Sequence, residues 1–330
     1  MRKNTQLTGA AGVVLGGVLM YFLDPNRGAR RRKLVRDQIV HAGRRAGVGL
    51  DTTVRSLGNR DAAPARRGAP PARGESARER RDRELFDRVA ADHCAKDLHP
   101  TARVARKHRL EQTLRAVPVP PGARLLEVGC GAGFSAEYLR GRRIRFCGVD
   151  YSERLIAYAR AHFARPDTRF EAVNLKDFRD EEGFNVVFMI GVLHHVDEVE
   201  SAVRQLVALL RPGGWLVVNE PQPANALICA ARQVRKRLDR GYSKEQAQLT
   251  AAELRAWFRR AGLRRVQVVP QGLLSTPFAE VPMGPPLLTR SLARLACTLD
   301  RCVERAAPRL LARVSWNLVA AGQRPRAAAS

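Results

Sequence analysis

The sequence lacks cysteine pairs at C-x-x-C spacing, and its six cysteines have no histidines at zinc-ligand spacing. Structural zinc sites and thioredoxin-like redox motifs both depend on such spacing. We therefore predict no metal site. Thiols scattered in this way are typical of a reduced, cytosolic compartment.

Aromatic residues are also scarce, at 6% of the chain, although the formal net charge is +26. Arginine supplies 51 of the 58 basic residues, and the basic runs contain no interleaved aromatics. Proteins that bind single-stranded nucleic acid stack bases on such aromatics, while their cations neutralise phosphates. The composition therefore disfavours nucleic acid as substrate or partner.

No charged residue occurs between Asn4 and Leu23, and Leu7 to Leu23 is almost wholly apolar or small. At about 1.5 Å per residue, the apolar part of such a helix reaches roughly 25 Å, slightly less than a hydrocarbon core of about 30 Å. A Gly12-x-x-x-Gly16 pattern would let a second helix pack closely. We predict that residues 1–23 form a membrane anchor; whether they span the bilayer or lie in it stays open.

A run of arginines follows the apolar stretch, where a cleaved signal peptide would have an A-x-A-like site. The positive-inside rule then places the rest of the chain on the cytoplasmic face of a membrane. Residues 24–80 are predicted to form a basic juxtamembrane helix and then a linker. The linker, residues 58–80, is rich in proline and glycine and has almost no large apolar side chain, so it cannot bury enough surface to fold.

From about residue 82 the pattern changes to short apolar runs that alternate with amphipathic helices, which is typical of a parallel α/β sheet. We predict an α/β domain over residues 81–330: a Rossmann-like, doubly wound, seven-stranded and mostly parallel sheet with helices on both faces. The predicted strands are 124–128, 144–149, 168–173, 184–190, 215–219, 264–269 and 315–321. Segments 221–249 and 271–314 are predicted to be insertions that shape an acceptor pocket.

The first predicted strand runs into the spacing Gly129-x-Gly131-x-Gly133. Glycine is needed where the backbone turns with positive φ or approaches a ligand closely. Asp150 ends the second strand 21 residues after Gly129, where an acid accepts hydrogen bonds from ribose hydroxyls. A dinucleotide fingerprint would need a further glycine at the position of Phe134, which weakens that alternative.

With Glu127, the loop has the form E-x-G-x-G-x-G, which resembles the first motif of the class I S-adenosylmethionine-dependent methyltransferases. "CGVDYSERLIAYAR", "FEAVNLKDF" and "FNVVFMIGVLHHVDEVESAVRQLVALLRPGGWLVVNEP" resemble the later motifs in family order. "FDRVAADHCAKDLHP" is similar to the entrance helix of the ubiquinone-biosynthesis-type subgroup. The resemblance covers about residues 84–221, and it implies S-adenosylmethionine as cofactor.

The resemblance also implies a set of cofactor-binding residues. The glycine loop would line the methionine part of the cofactor, Asp150 its ribose, Asn174 and Leu175 its adenine, and Gly191 its thioether side. The predicted set is Glu127, Gly129, Cys130, Gly131, Gly133, Asp150, Tyr151, Asn174, Leu175 and Gly191. Two positions depart from the family pattern: Asn174 stands where an acid is usual, and Cys94 where the subgroup often has tyrosine.

Methyl transfer from a sulfonium is an in-line displacement, so positioning is the main task of the protein and no nucleophilic side chain is required. A base is needed only when the acceptor must lose a proton. His194 and His195 follow the fourth strand and are the candidate catalytic residues; the alternative is that they only shape the pocket. Glu220 could face the acceptor or cap the fifth strand.

The predicted anchor and the apolar, proline-rich start of segment 271–314 favour a small-molecule acceptor of lipid- or quinone-like character. Burial of that segment against the domain core would explain its composition equally well. The alternatives are a membrane-tethered pseudo-enzyme or scaffold and, with less support, a nucleic-acid methyltransferase. The intact glycine loop and Asp150 argue against a scaffold, which would need neither.

Overall fold

The computed structural model describes residues 76–223, 249–280 and 285–326 of the 330-residue chain. The predicted anchor, the basic juxtamembrane helix, almost all of the predicted linker and most of insertion 221–249 lie outside these residues. Within the described part of the chain, no helix combines the length and apolar character needed to cross a bilayer.

Seven strands form one sheet, and their bounds follow the short apolar runs of the sequence. They are β1 (Ala123–Val128), β2 (Ile144–Asp150), β3 (Thr168–Ala172), β4 (Phe184–Ile190), β5 (Leu210–Pro221), β6 (Arg264–Gln271) and β7 (Asn317–Gln323). The spatial order is β3-β2-β1-β4-β5-β7-β6. The first five strands in this order pair in parallel, whereas β7 is antiparallel to both β5 and β6.

Helices alternate with the strands, as the sequence pattern predicts. Before β1 lie α1 (Ala77–Arg88), α2 (Ala90–Leu98) and α3 (Pro100–Arg115); between the strands lie α4 (Phe134–Tyr138), α5 (Glu153–Phe163), α6 (Val199–Ala208) and α7 (Ala251–Arg260); and before β7 lie α8 (Thr276–Glu280), α9 (Pro286–Ala306) and α10 (Pro308–Val314). A short 3₁₀ turn, Leu193–His195, follows β4. Ser152 and Thr250, residue types favoured at helix N-caps, are the N-cap residues of α5 and α7, and each accepts a hydrogen bond from a backbone N–H of its helix.

Helices cover both faces of the sheet. On one face Leu216 and Val218 of β5 belong to a buried cluster that includes Leu206 of α6 and Phe258 of α7. Asn219 points to the opposite face, where its side-chain amide donates to Thr113 of α3 at 2.7 Å. The predicted Rossmann-like, mostly parallel seven-stranded sheet with helices on both faces is therefore confirmed for the described residues.

Some predicted boundaries were wrong. Pro212 with its two following glycines is a helix-stop signal and predicts a helix from Val199 to Leu210, but α6 ends at Ala208 and the Pro-Gly-Gly sequence lies inside β5. Helix α1 begins at Ala77, inside the segment predicted to be linker. In contrast, the proline-rich start of segment 271–314 argues against a regular long helix there, and this is confirmed: the segment starts with the five-residue α8, and the 21-residue α9 follows.

Candidate functional site

A cleft opens at the carboxyl ends of β1 to β4, where β1 separates the β2–β3 side of the sheet from the β4–β5 side. It encloses about 780 Å³ including its open mouth, and side chains from α1 and α6 complete its walls. Ligands of open parallel sheets bind at this kind of topological switch point. The cleft therefore lies where the sequence predicts a nucleoside-containing ligand.

The three loop glycines all have positive φ, but they serve two different purposes. A Cβ on Gly129 would lie 2.4 Å from Val192, and one on Gly133 would lie 2.8 Å from Ala159 and Phe170. A Cβ on Gly131 (φ 53°) would meet no described heavy atom within 4 Å. Gly129 and Gly133 are thus required by packing, whereas Gly131 leaves open space in front of the loop.

Asp150 supports the loop from the end of β2. One carboxylate oxygen accepts from the N–H of Gly131 at 2.9 Å, and the other accepts from the N–H of Ser152 at 2.9 Å. Burial, helped by nearby Asp87, raises the pKa of Asp150 to about 6, although these N–H donors act in the opposite direction. Each oxygen retains a second lone pair, so the carboxylate can hold the loop and also accept from a ligand.

Glu127, at the end of β1, has one satisfied and one unsatisfied oxygen. Oε1 accepts from Ser135 Oγ at 2.7 Å, while Oε2 is buried and has no hydrogen-bond partner among the described residues. Burial raises the pKa of this carboxyl group to about 8. An unpartnered buried carboxylate oxygen suits a cationic ligand group, so Glu127 fits the amino group of the implied cofactor.

Asn174 follows β3 and lines the cleft with Leu175 and Tyr151. Its side-chain oxygen accepts from the backbone N–H of Lys176 at 3.0 Å, which fixes the amide beside the cleft. The same oxygen has one further lone pair for an exocyclic amine. The uncharged Asn174 is therefore compatible with adenine recognition.

Helix α1 closes one side of the cleft through polar contacts that the sequence analysis missed. Asp82 lies 3.0 Å from Nδ1 of His195, and Glu79 pairs with Lys176 at 2.9 Å. Arg78 pairs with Asp197 at 2.8 Å. The sequence did contain a signal, because Ser76 and Glu79 have S-x-x-E capping-box spacing and form that box in the structure.

His194 is buried and held by Glu220 at the end of β5. Its Nδ1 atom lies 2.6 Å from Oε2 of Glu220. Oε1 of Glu220 accepts from the N–H groups of Val192 and Leu193 at 3.0 and 2.8 Å. When the Glu220 carboxylate accepts a hydrogen bond from Nδ1–H, Nε2 is the ring nitrogen left to accept a proton.

His195 occupies a different environment from its neighbour. It lines the cleft, and its ring packs edge-on against Phe86 of α1 with the ring centroids 5.6 Å apart. Burial and the adjacent His194 lower its pKa, so His195 is neutral near pH 7 despite its contact with Asp82. The two candidate histidines are adjacent, with their ring centroids 4.2 Å apart, but their partners differ. His195 lines the cleft and contacts Asp82, whereas His194 contacts Glu220.

Half of the predicted cofactor residues line the cleft directly: Gly129, Asp150, Tyr151, Asn174 and Leu175. The residues that line the cleft do not include the other half: Glu127, Cys130, Gly131, Gly133 and Gly191. Gly133 differs from its expected role, since it serves packing and begins α4, with Gly133 as the N-cap residue. Cys130 is buried, with Sγ 2.8 Å from the position of a Cβ on Gly148. Cys94, which stands where the subgroup often has tyrosine, is buried as well.

Comparison with known proteins gives one family. The family described as "Methyltransferase domain" matches residues 100–268. The ubiquinone biosynthesis O-methyltransferase of Xanthomonas axonopodis pv. citri is 30% identical over 167 residues, which cover 48% of this chain and 69% of that protein. The protein of the same name from Bordetella avium is 31% identical over 150 residues, which cover 43% of this chain and 62% of that protein.

Solved structures agree on the fold. One chain in the complex between the Haloferax volcanii Trm112 methyltransferase activator and its methyltransferase superposes with a TM-score of 0.52 at 21% identity, covering 75% of this chain and 99% of that chain. A Thermotoga maritima SAM-dependent methyltransferase gives 0.51 at 20% identity, covering 73% and 99%. At these identities the likeness concerns the fold alone.

Proposed function

Since this chain belongs to the methyltransferase family and is an S-adenosylmethionine-dependent enzyme, we propose that it methylates a hydroxyl group of a small lipid- or quinone-like molecule. The pseudo-enzyme and scaffold alternatives have no observation in their favour. The relatives that match the chain are named as O-methyltransferases of ubiquinone biosynthesis, and that name supports an oxygen acceptor of this chemical class.

The observation that carries the proposal is the His194–Glu220 pair. A hydroxyl or phenol acceptor must lose its proton during methylation, and a neutral imidazole with a fixed tautomer is suited to take it. Glu220 fixes that tautomer and is itself held by two backbone N–H groups. Because Gly191 directly precedes this turn and a Cβ there would meet no described atom within 4 Å, the backbone beside the pair leaves room for an acceptor.

The remaining residues of the site bind and orient. Bound S-adenosylmethionine would supply a methyl group on a sulfonium, which is activated for displacement. Glu127 would hold the amino group, Asp150 the ribose hydroxyls, and Asn174 the adenine edge. Holding the reactants in line can contribute roughly 7 to 11 kcal/mol of barrier reduction. In this proposal His194 receives the acceptor proton at Nε2, and Glu220 stabilises the resulting imidazolium.

The membrane-related part of the proposal rests on the sequence. The predicted anchor, residues 1–23, and its following arginines support a catalytic domain tethered at the cytoplasmic face of a membrane. A tethered domain meets lipid-soluble acceptors at high local concentration. Membrane lipids and membrane quinone precursors are therefore the acceptors to test first.

The proposal is tested by incubating the full-length enzyme with methyl-labelled S-adenosylmethionine and separate lipid, nucleic-acid and protein fractions of a cell extract. Label in the lipid fraction that is recovered as a methyl ether supports the proposal. Asp150→Ala serves as a control for weakened cofactor binding, and His194→Ala tests the base. Label confined to RNA or DNA, or labelled lipid in which the methyl is on carbon or nitrogen, would overturn the proposed acceptor.

A further inference from the structure

Helix α9 has its large apolar side chains on the outside. Its buried positions are small or polar: Thr289, Ala293, Ala296, Cys297 and Asp300. Its exposed positions include five leucines: Leu287, Leu288, Leu292, Leu295 and Leu299, which are 42 to 86% exposed. Val269 is the one other large apolar side chain exposed in the described residues. Since a helix normally buries its leucines, this arrangement indicates that something covers the outer face.

Four of these leucines form one stripe, which we call the leucine stripe: Leu288, Leu292, Leu295 and Leu299. Their i, i+4, i+7, i+11 spacing places them on one side of the helix over about 16 Å. The neighbouring outward positions, Ser291 and Thr298, are uncharged and exposed. The uncharged surface is therefore continuous from Leu288 to Leu299, which is about half the length of the helix.

The outward charges of α9 all have one sign. Arg290, Arg294 and Arg305 are exposed. The two acids of the helix point inward: Asp300 accepts from the N–H groups of residues 273–275, and Glu304 accepts from that of Gly272. A helix turns by 100° per residue, so the position of each side chain around the axis can be assigned. The leucine stripe lies along one edge of the uncharged surface, and Arg294 and Arg305 lie along the other edge.

We propose that α9 lies on the surface of an anionic lipid bilayer, with the leucine stripe at the boundary of the acyl chains and Arg294 and Arg305 at the headgroups. A basic helix with leucines on its outer face has the composition of interfacial helices. Arginine stems are long enough to reach sideways to phosphates while keeping their charge in water. The inference does not depend on which acceptor the enzyme methylates.

Charge also decides between a bilayer and a second copy of the chain. Pairing two copies through α9 would bring two sets of arginines together, in a protein whose formal net charge is +26. Like charges across an interface are unfavourable, whereas each arginine near an anionic surface is favourable. The same residues that oppose self-association therefore favour lipid.

A local reporter in the full-length protein tests the inference, since the predicted anchor could bring the protein to vesicles by itself. Leu295→Trp places an indole on the leucine stripe. We expect its fluorescence to shift to the blue and to be quenched by brominated acyl chains when phosphatidylglycerol vesicles are added, with a much weaker response to phosphatidylcholine alone. Arg259→Trp, at an exposed position on α7, is the matched control and should not be quenched.

Charge removal gives a second measurement. In the Leu295→Trp background, Arg294→Gln with Arg305→Gln should raise the lipid concentration needed for half-maximal quenching by about fivefold per arginine. Arg259→Gln with Arg260→Gln on α7 removes the same charge and should have a much smaller effect. An indole at position 295 that stays unquenched on vesicle-bound protein would overturn the inference. A blue shift without vesicles would also overturn the inference, because protein would then cover the leucine stripe. A shift that grew with protein concentration would identify a second copy of the chain, and one that did not would identify another part of the same chain.

Discussion

Glu220 of β5 and His194 of the turn after β4 meet at 2.6 Å, with the carboxylate also held by the N–H groups of Val192 and Leu193. The fifth strand thus fixes the orientation of the histidine that follows the fourth. Neither residue can turn away without leaving a buried polar group unsatisfied.

His194→Ala is expected to lower kcat for a hydroxyl acceptor by about 10² to 10⁴-fold, the usual contribution of a positioned base. Glu220→Gln should lower kcat less, because the amide still accepts from Nδ1 but no longer stabilises an imidazolium by charge. Steady-state kinetics with calorimetric S-adenosylmethionine binding measures both effects. A His194→Ala enzyme within threefold of the wild-type kcat would show that this histidine only shapes the pocket.

Cofactor binding should strengthen as pH rises from about 5.5 to 7.5. The pKa of Glu127 is raised to about 8 by burial, so the free protein is mostly protonated there, and a cationic ligand group favours the ionised form. Affinity should therefore rise by up to about tenfold per pH unit, with uptake of the ligand releasing a proton. Calorimetry in buffers of different ionisation enthalpy measures that proton.

Glu127→Gln is the control for this pH dependence and should flatten it. It also affects stability, with a defined sign. Because the pKa of Glu127 is raised in the folded state, its stabilising contribution to the free energy of unfolding is fully present below about pH 4.5. That contribution is lost as the pH rises through about 8. Thermal melts of the unliganded protein should show this loss in the wild type, and less of it in Glu127→Gln. If Tm fell with rising pH equally steeply in the two proteins, the assignment of the raised pKa to Glu127 would be contradicted.

Gly131→Ala and Gly133→Ala should separate ligand binding from packing. A Cβ on Gly131 enters open space, so the variant should lose cofactor affinity by at least tenfold at a stability cost of about 1 to 2 kcal/mol for the left-handed backbone. A Cβ on Gly133 would lie 2.8 Å from Ala159 and Phe170. The free energy of unfolding of this variant should therefore be lower by about a further 1 to 3 kcal/mol. Denaturant unfolding and calorimetry measure the two quantities. A loss of stability that is larger for Gly131→Ala than for Gly133→Ala would be inconsistent with the geometry.

Asp82→Ala should loosen α1 where it closes the cleft. His195 loses its partner at 3.0 Å. The other two ion pairs of α1 described above, Arg78 with Asp197 and Glu79 with Lys176, are partly exposed, so each contributes only about 0.2 to 1 kcal/mol. We expect faster hydrogen exchange over residues 77–88 and a several-fold weaker affinity for S-adenosylmethionine. Glu84→Ala, on an exposed position of the same helix, is the matched control and should change neither.

The central strands could be predicted from the sequence because local pattern determines them. Phe184 to Ile190 is apolar except for Asn185 and has buried residues on both faces, and its predicted bounds match β4. Asp150 was likewise placed at the end of β2 by spacing alone. In both cases the information lies within a few residues of the chain.

The unpredicted features depend on contacts distant in sequence. Nothing around Asp82 indicates that it meets His195, 113 residues later. Glu220 was left between two roles because the N–H groups that hold it belong to another strand. The composition of the segment after Gln271 was compatible with an acceptor pocket or with the core. Its leucines are instead on the outside of α9, and only the packing of the neighbouring small residues reveals this.

The last strand has a consequence for biosynthesis. β7 lies between β5 and β6, and within the described residues β6 pairs with no other strand. The sheet therefore cannot close until residues 317–323 have left the ribosome. A nascent chain that lacks these residues exposes two unpaired strand edges. Chaperone protection at that stage would favour accumulation of the protein, whereas truncation by a late stop codon would favour its aggregation.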